Sequence, residues 1–357
     1  MADAKLRRLY WPPEVDGSTG VHAGAMTAES PWLIVIAAAI AAATLALLAR
    51  LSAYLPKAPP GPRSLHAAPT PGVGGLAIWA GFVPVALAAP PGLPGFWPVW
   101  LLAVGVVGAV SLIDDWRGVH PAARIAVHGI AAAAIAVPIV DPGNASGGAW
   151  LALVGAVLAL VWAANLYNFM DGSDGIAAAM SVCGFGGYGV AALIAGAPAA
   201  TWFGLAAATL VFFAFNVPPA RMFMGDVGAV PLGFLAAAAG LGGWRVGMWP
   251  AWFPLLVFLP FIADASVTLC KRILRRERIW EAHKMHYYQR LNQLGAGHFG
   301  TLLAFGVLMA GTVASALATL AMDPDAGWIV TAAWSAALGA FFAGIDYHWR
   351  NRVPAHR

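Results

Sequence analysis

The chain is poor in charge and almost free of cysteine, and both shortages restrict what it can be. Among 357 residues it has 20 Lys and Arg and 16 Asp and Glu, while 60% of its residues are hydrophobic. This composition excludes an ordinary soluble globular domain. The two cysteines, Cys183 and Cys270, lie far apart in apolar surroundings. A disulfide framework and a cysteine-based zinc site are therefore not expected.

The N-terminal segment lacks the pattern of a cleaved signal peptide. Its first apolar run begins only at Pro31, after a polar stretch that contains proline and glycine. Met26 precedes that run, so we expect residues 1–30 to form a disordered extension and Met26 to be the true start.

Long apolar runs occupy most of the remaining chain. Runs of roughly 18 to 22 apolar residues are typical of membrane-spanning helices, and they predict an all-α polytopic bundle of ten or eleven transmembrane helices. We expect one transmembrane domain over residues 31–347, followed by a cytoplasmic tail over 348–357. The predicted spans cover residues 32–54, 73–90, 96–113, 122–140, 149–166, 175–196, 200–217, 228–243, 249–269, 300–321 and 327–346.

The basic residues fall on one set of loops. Of the 20 Lys and Arg, 16 follow the first, third, seventh, ninth and eleventh predicted spans. Because cytoplasmic loops are enriched in Lys and Arg, we expect the N-terminus outside and the C-terminus inside a bacterial inner membrane. The polar loops 50–72, 114–124, 165–175, 216–228 and 270–299 then share the cytoplasmic face.

Two of these loops concentrate carboxylates and amides beside apolar runs. Asp114 and Asp115 end the third span, where adjacent negative charges need a cation or a shared proton and where the helix dipole disfavours them. Arg124 is a nearby cation that can hold an anion. In 165–175, Asn165, Asn168 and Asp171 recur every three residues and would share one helix face. A ligand site and a plain polar turn are both compatible with this second stretch.

A third loop, 216–228, presents Asp226 after two helix-stopping prolines, just before the eighth span. Mg²⁺ takes oxygen ligands, one or two of them from protein, while substrate phosphates supply others. Asp226 and Asn168 would fit this role. The spacing after Asp171 excludes an EF-hand, because Val182 stands where a bidentate Glu is required.

The remaining two loops are basic. In 271–290, His283 and His286 are separated by one helical turn, with Arg290 a turn further on, a surface suited to phosphate. A simple anchor on anionic lipid is the alternative, and nucleic acid is not an expected partner. In 57–75, Lys57, Arg63 and His66 precede a glycine-rich run and suit an anionic lipid head group.

Taken in order, these motifs resemble the polyprenyl-phosphate N-acetylhexosamine-1-phosphate transferases, the glycosyltransferase family 4 superfamily that includes MraY, WecA and WbpL. The resemblance covers residues 50–290, and it is specific because the motifs occur jointly, in order and on one predicted face. The spacing of His283 and His286 resembles WbpL-like O-antigen initiators more than MraY. The matching positions are Arg63, His66, Gly74, Gly75, Asp114, Asp115, Asn165, Asn168, Asp171, Asp174, Phe223, Asp226, His283 and His286.

The resemblance implies an enzyme that transfers sugar-1-phosphate from a UDP-N-acetyl sugar to undecaprenyl phosphate, releases UMP and so initiates a cell-surface glycan such as O-antigen or cell-wall polysaccharide. It implies Mg²⁺, with Mn²⁺ as a substitute, at Asn168 and Asp226. The expected catalytic residues are Asp114, Asp115, His283 and His286, and the expected substrate-binding residues are Lys57, Arg63, His66, Arg124, Asn165, Asp171, Asp174, Lys284 and Arg290.

Other functions are less consistent with the sequence. A transporter or flippase for an anionic lipid or ion would also place ionisable groups near the middle of the bilayer. A CDP-alcohol phosphotransferase also uses an Asp-Gly motif beside membrane helices. Its motif includes an Arg and further acids, which are missing after Asp174-Gly175. The identity of the transferred sugar and a homodimeric state are left open by the sequence.

Overall fold

A computed structural model of the protein describes residues 30–58, 65, 69–144, 147–278 and 283–352. The predicted N-terminal extension, the end of the C-terminal tail, Arg63 and His66 lie outside the described residues. The described part is an all-α polytopic membrane protein with one small hairpin. Its helices are α1 Ser30–Arg50, α2 Gly75–Ala88, α3 Trp97–Arg117, α4 Pro121–Val140, α5 Gly147–Met170, α6 Ile176–Ile194, α7 Ala200–Asn216, α8 Asp226–Arg245, α9 Trp252–Val257, α10 Leu259–Leu274, α11 Tyr287–Leu291, α12 Gly297–Met322 and α13 Gly327–Arg352.

Eight helical stretches among the described residues are long and apolar enough to cross a membrane. The helices α2 and α7 are apolar but shorter. The predicted span 249–269 is divided into α9 and α10 at Phe258, with Pro260 in the first turn of α10, a position that proline tolerates well. Ahead of α12, α11 continues into a π-helical turn, Asn292–Ala296, which contains Gly295 at φ 106°.

The bundle is organised around α8. In the most apolar stretch of each helix, 83% of the residues are buried in α8 but only 22% in α1. The outer helices instead expose large apolar side chains such as Leu102, Ile130 and Leu151. Apolar side chains on the outside are suited to lipid contact, because no water there penalises their exposure.

Close packing against α8 depends on small residues. A Cβ on Gly233 would overlap the carbonyl oxygen of Ala163 in α5, and a Cβ on Gly75 would overlap the backbone of Gly228. Small residues let helix backbones approach closely in a membrane, where packing rather than the hydrophobic effect drives association. The glycines of the 57–75 and 216–228 motifs thus bring α2 and α8 together.

Two loops at one end of the bundle are paired through their backbones. The strands β1 Lys57–Ala58 and β2 Thr70–Pro71 form an antiparallel hairpin. The Phe223 N–H then donates to the Pro71 carbonyl at 2.8 Å, and the Gly74 N–H donates to the Phe223 carbonyl at 2.9 Å. Gly225 has φ 72°, and a Cβ there would overlap the carbonyl oxygen of Gly72. These contacts fix the position of the residue that follows, Asp226.

Candidate active site

A cavity of about 390 Å³ opens where α3, α5 and α7 end and where α8 begins. Three of the predicted polar loops and the hairpin contribute side chains to it, as does the start of α12. The cavity therefore brings together residues that are up to 242 positions apart in the sequence, from Pro56 to His298. Its polar side chains are Lys57, Asp115, Asn168, Asp171, Ser173, Asp174, Asn216, Asp226 and His298.

Two carboxylates meet at the N-terminus of α8. The sequence had led us to expect Asp226 in the loop before this helix. In the structure it is the first residue of the helix. Its backbone N–H donates to Asp115 Oδ2 at 3.1 Å. The unsatisfied N–H groups and positive dipole end of a helix stabilise an anion at this position. The chain therefore places the Asp115 and Asp226 carboxylates side by side.

A single cation of the described residues approaches this pair. Arg124 Nη1 forms an ion pair with Asp114 Oδ2 and lies 4.0 Å from Asp226 Oδ2. Asp114 Oδ1 also accepts the Val119 N–H at 2.6 Å. Asp114 is thus held at the edge of the site as the partner of Arg124, while its neighbour Asp115 lines the cavity.

Asp171 adds a further carboxylate to the cavity. Burial raises its pKa well above the usual value of 3.8, and the negative charges of Asp226, Asp115 and Asp174 raise it further. None of the hydrogen bonds found among the described residues ends on its carboxylate. Such a cluster of like charges favours a cation or a proton between its members.

The donor set fits Mg²⁺. Asn168 Nδ2 donates to Asp226 Oδ2 at 3.2 Å, so the two side chains that offer oxygen ligands are direct neighbours. Among the described residues, no three His, Cys, Asp or Glu side chains are grouped so as to hold a metal ion by themselves. Mg²⁺ does not need such a cage, because it is usually bound by one or two protein oxygens together with phosphate and water.

Asp174 and Asn216 fix the loop between α5 and α6. Asp174 Oδ2 accepts the Ala220 N–H at 2.9 Å. Asn216, which is 2% exposed, accepts the Gly175 N–H at 3.0 Å and donates to the Met222 carbonyl at 2.9 Å. The last residue of α7 therefore ties the loop before α6 to the loop before α8.

His283 and His286 lie next to the cavity rather than in its lining. Their rings are stacked with centroids 4.9 Å apart, and the His286 ring also stacks on Phe169 at 5.8 Å. His286 is buried, with Nδ1 3.3 Å from Asp264 Oδ1. Burial and the neighbouring His286 lower the pKa of His283 to about 4, which leaves its imidazole neutral at pH 7.

Besides Arg124, three described residues that were predicted to bind substrate lie outside the cavity lining. Asn165 Nδ2 donates to the Val161 carbonyl of its own helix at 2.7 Å. Arg290 is buried, and its Nη1 donates to Asp346 Oδ1 at 2.7 Å. Lys284 lies in the segment before α11, where its carbonyl accepts a hydrogen bond from Gln293. Lys57 does line the cavity, from the first strand of the hairpin, where its side chain is exposed.

Sequence reasoning missed three residues that organise the site: Asn216, Asp264 and His298. Asn216 had a readable signal, because it is an amide at the end of an apolar run just before two prolines. Asp264 is an isolated acid in an apolar helix, and His298 is an isolated histidine after a glycine-rich turn. The sequence contains no local pattern that marks either of the last two.

Comparison with known proteins identifies related sequences. Residues 97–243 match the model of glycosyl transferase family 4. The probable undecaprenyl-phosphate N-acetylglucosaminyl 1-phosphate transferase of Bacillus subtilis is 29% identical over 258 residues, which is 67% of this chain and 70% of that protein. The decaprenyl-phosphate N-acetylglucosaminephosphotransferase of Mycolicibacterium smegmatis is 29% identical over 308 residues, 74% of this chain and 75% of the relative.

A third relative, the phospho-N-acetylmuramoyl-pentapeptide-transferase of Shouchella clausii, is 33% identical over 193 residues, 47% of this chain and 59% of that protein. The matched family segment begins at α3 and ends within α8, so it includes Asp115, Asn168, Asp171 and Asp226. These matches confirm the resemblance seen in the motifs, and they place the similarity to glycosyl transferase family 4 in residues 97–243.

Proposed function

We propose that this protein transfers an N-acetylhexosamine-1-phosphate from a UDP-sugar to undecaprenyl phosphate and releases UMP. The product would be a lipid-linked diphosphosugar that initiates a cell-surface glycan, such as O-antigen or a cell-wall polysaccharide. The observation that carries the proposal is the cavity with Asp115, Asn168, Asp171 and Asp226 at helix ends. The names of the relatives, which describe transfer of a sugar phosphate to a polyprenyl phosphate, support it.

The orientation follows from charge. The basic residues in the last turns of α1, α3, α10 and α13, in the first turn of α4 and in the loops after α1, α7 and α10 favour the cytoplasm for this end of the bundle. The cavity, which is lined by residues from several of these loops, would then face the cytoplasmic UDP-sugar from a bacterial inner membrane. We retain the predicted ten or eleven spans and the external N-terminus as part of this proposal.

The reaction needs two anions to approach each other. An oxygen of the lipid phosphate attacks the phosphorus that bears the sugar, a new phosphoanhydride bond forms, and the bond to UMP breaks. The second pKa of a phosphate monoester is about 6, so the lipid phosphate is already a good nucleophile at neutral pH. The protein's principal task is therefore to position the two phosphates and to reduce their repulsion.

Asn168 and Asp226 would hold the Mg²⁺ ion. Bound there, Mg²⁺ would neutralise charge on the diphosphate and on the leaving UMP. Asp115 and Asp171 would orient this centre from the other sides of the cavity. Mn²⁺ is expected to substitute, since it also prefers oxygen ligands.

The basic side chains would guide the phosphates. Arg124 is kept at the edge of the site by Asp114, and it can exchange this partner for an incoming phosphate. Lys57 lies at the cavity mouth on the hairpin. The neutral His283 can still donate a hydrogen bond to phosphate, because one ring nitrogen keeps its proton.

The test is a donor panel. Purified protein in detergent receives undecaprenyl phosphate, Mg²⁺ and one UDP-sugar at a time, including the N-acetylglucosamine, N-acetylfucosamine, N-acetylquinovosamine and bacillosamine-type donors, and UMP release is measured. We expect UMP with at least one donor, dependent on both the lipid phosphate and the divalent cation. Lipid scrambling or ion uptake in vesicles without consumption of any UDP-sugar would instead identify a flippase or transporter.

A further inference from the structure

His298 connects three parts of the cavity wall. It is the second residue of α12, and its side chain is 22% exposed. Nδ1 lies 3.0 Å from Ser173 Oγ and 3.1 Å from the Asp174 backbone nitrogen. On the other side of the ring, Nε2 lies 3.2 Å from the Leu65 carbonyl oxygen. One imidazole therefore bridges α12, the loop between α5 and α6, and the segment between the hairpin strands.

The partners of the ring determine which nitrogen bears the proton. A backbone N–H can only donate, so Nδ1 accepts from Asp174, and the Ser173 hydroxyl can donate to the same nitrogen. A carbonyl oxygen can only accept, so Nε2 must donate to Leu65. The donors at Nδ1 and the acceptor at Nε2 therefore both favour the neutral tautomer with the proton on Nε2. Asp174 Oδ1, 3.4 Å from Nδ1, is farther from Nδ1 than the backbone nitrogen.

The same geometry excludes a nucleophilic triad of Ser173, His298 and Asp174. In such a triad the hydroxyl and the carboxylate contact opposite nitrogens of the imidazole. Here both Ser173 Oγ and Asp174 Oδ1 face Nδ1, and Nε2 is bonded to a backbone carbonyl. With both ring nitrogens engaged by the protein, His298 is also a poor candidate for direct contact with substrate.

We propose that His298 is a positioning residue, which fixes the Ser173–Asp174 backbone in the wall that receives the nucleotide-sugar. This role rests on the proposed transferase function. Asp174 is held from three directions, because its N–H bonds to His298, its Oδ2 accepts the Ala220 N–H, and the next residue bonds to Asn216. Of these three contacts, only the one to His298 comes from a helix that follows the other site loops in the sequence.

Because His298 holds the loop that bears Asp171 and Asp174, its loss should weaken binding of the UDP-sugar. Binding of undecaprenyl phosphate should be little affected. His298→Ala is expected to raise the KM for the UDP-sugar about tenfold, the effect of losing one buried hydrogen-bonding partner. The KM for undecaprenyl phosphate and kcat should each change less than about twofold. A merely structural residue would lower the thermal midpoint and impair both substrates together.

Two isosteric variants test the assignment of the nitrogens. His298→Asn places an amide oxygen near the position of Nδ1 and keeps an acceptor for the Asp174 N–H. His298→Gln places its amide nitrogen near the position of Nε2 and keeps only a donor for Leu65. We expect His298→Asn to recover most of the donor affinity and His298→Gln to behave like His298→Ala. His348→Asn, an exposed histidine of α13, is the matched control and should behave as wild type.

Each result has a defined meaning. A wild-type KM for the UDP-sugar in His298→Ala, or recovery by His298→Gln and not by His298→Asn, would overturn the role given to His298. Equal losses for both substrates with a lowered thermal midpoint would do the same. If the wild-type protein releases no UMP with any donor in the panel, the proposed function itself fails, and the positioning role fails with it.

Discussion

Asp171 and Asp264 both lie beside apolar helices, yet the protein surrounds them in opposite ways. Asp264 belongs to α10 and is fully buried. It accepts the Tyr287 N–H on Oδ1 and the Tyr288 N–H on Oδ2, each at 2.9 Å. Asp171 lines the open cavity, and no donor among the described residues reaches its carboxylate. We call Asp264 and Asp346 the packed aspartates, and Asp115, Asp171 and Asp226 the cavity aspartates.

The packed aspartates are compensated by the chain itself. Asp346 forms ion pairs with Lys271 and with Arg290, and Arg290 also lies over the Tyr287 ring at 5.2 Å. Asp264 adds contacts with Thr268 and His286 to its two backbone donors. A buried charge with such partners is tolerated, whereas removal of one partner is costly. These residues hold α10, α11 and α13 together.

The cavity aspartates are compensated less fully, because Asp115 accepts the Asp226 N–H and Asp226 accepts from Asn168, but no hydrogen bond among the described residues reaches the Asp171 carboxylate. Their nearest charged partner among the described residues is Arg124, which is already paired with Asp114. A protein gains no stability from gathering like charges in a half-buried cavity. The comparison therefore separates acids that maintain the fold from acids that, in the proposed function, serve a cation and its phosphates, in agreement with the clustering of perturbed groups at functional sites.

The largest expected effect comes from removing the charge of Asp226. Asp226→Asn keeps the size of the side chain and the start of α8 but removes the carboxylate proposed to bind Mg²⁺. We expect UMP release to fall by at least about 10²-fold, the scale reported when one electrostatic group of an active site is lost. The thermal midpoint without divalent cation should not fall, because one member of a repelling cluster is neutralised.

Asp325→Asn is the matched control, since Asp325 is exposed near the turn between α12 and α13. Its initial rate of UMP release should equal that of the wild type. Near-wild-type turnover by Asp226→Asn would remove the metal role from Asp226 and the distinction between the two groups of aspartates.

The sequence exposed the cavity aspartates more clearly than the packed ones. Asp115, Asp171 and Asp226 each lie near the end of an apolar run and beside glycine or another acid, a local pattern that can be read directly. Apart from Thr268, the donors of Asp264 lie more than 20 residues further along the chain, and two of them are backbone N–H groups. Backbone donors have no residue type, so no sequence pattern indicates them.

The helices were predictable for a similar local reason. The apolar runs and the prolines after Asn216 define where most helices lie, because hydrophobic length and proline act within one element. The division of the predicted ninth span at Phe258 and the central position of α8 depend on packing between helices. Asn165 also shows that position on a helix does not predict packing. Although it was predicted to share a helix face with Asn168, only Asn168 lines the cavity.

A second prediction concerns the packed aspartates. Asp264→Ala leaves the Tyr287 and Tyr288 N–H groups buried without their acceptor. We expect a loss of about 3 kcal/mol in the free energy of unfolding, the cost of breaking a buried, hydrogen-bonded charge by removing one partner. The measurement is the apparent thermal midpoint at a fixed scan rate in detergent. A variant as stable as the wild type would show that Asp264 does not hold α11 in place.

The smallest expected effect is a gain in stability. Removing the charge of a cavity aspartate should stabilise the fold, whereas removing a packed aspartate should destabilise it. The pKa of Asp171 is raised in the folded protein, so above the usual value of 3.8 the folded state binds more protons than the unfolded state. Stability without metal must then fall as the pH rises through that interval. Asn does not titrate, and Asp171→Asn should therefore melt at a higher temperature than wild type at pH 7 in EDTA.

This gain should be smaller than the loss in Asp264→Ala, and it should shrink in two ways. Lowering the pH towards about 4 protonates the wild-type carboxylate and removes the repulsion that the variant lacks. Saturating Mg²⁺ should stabilise the wild type, because a cation that binds only the folded cluster shifts the unfolding equilibrium. A lower midpoint for Asp171→Asn than for wild type at pH 7 in EDTA would mean that Asp171 stabilises the fold, and it would then belong with the packed aspartates.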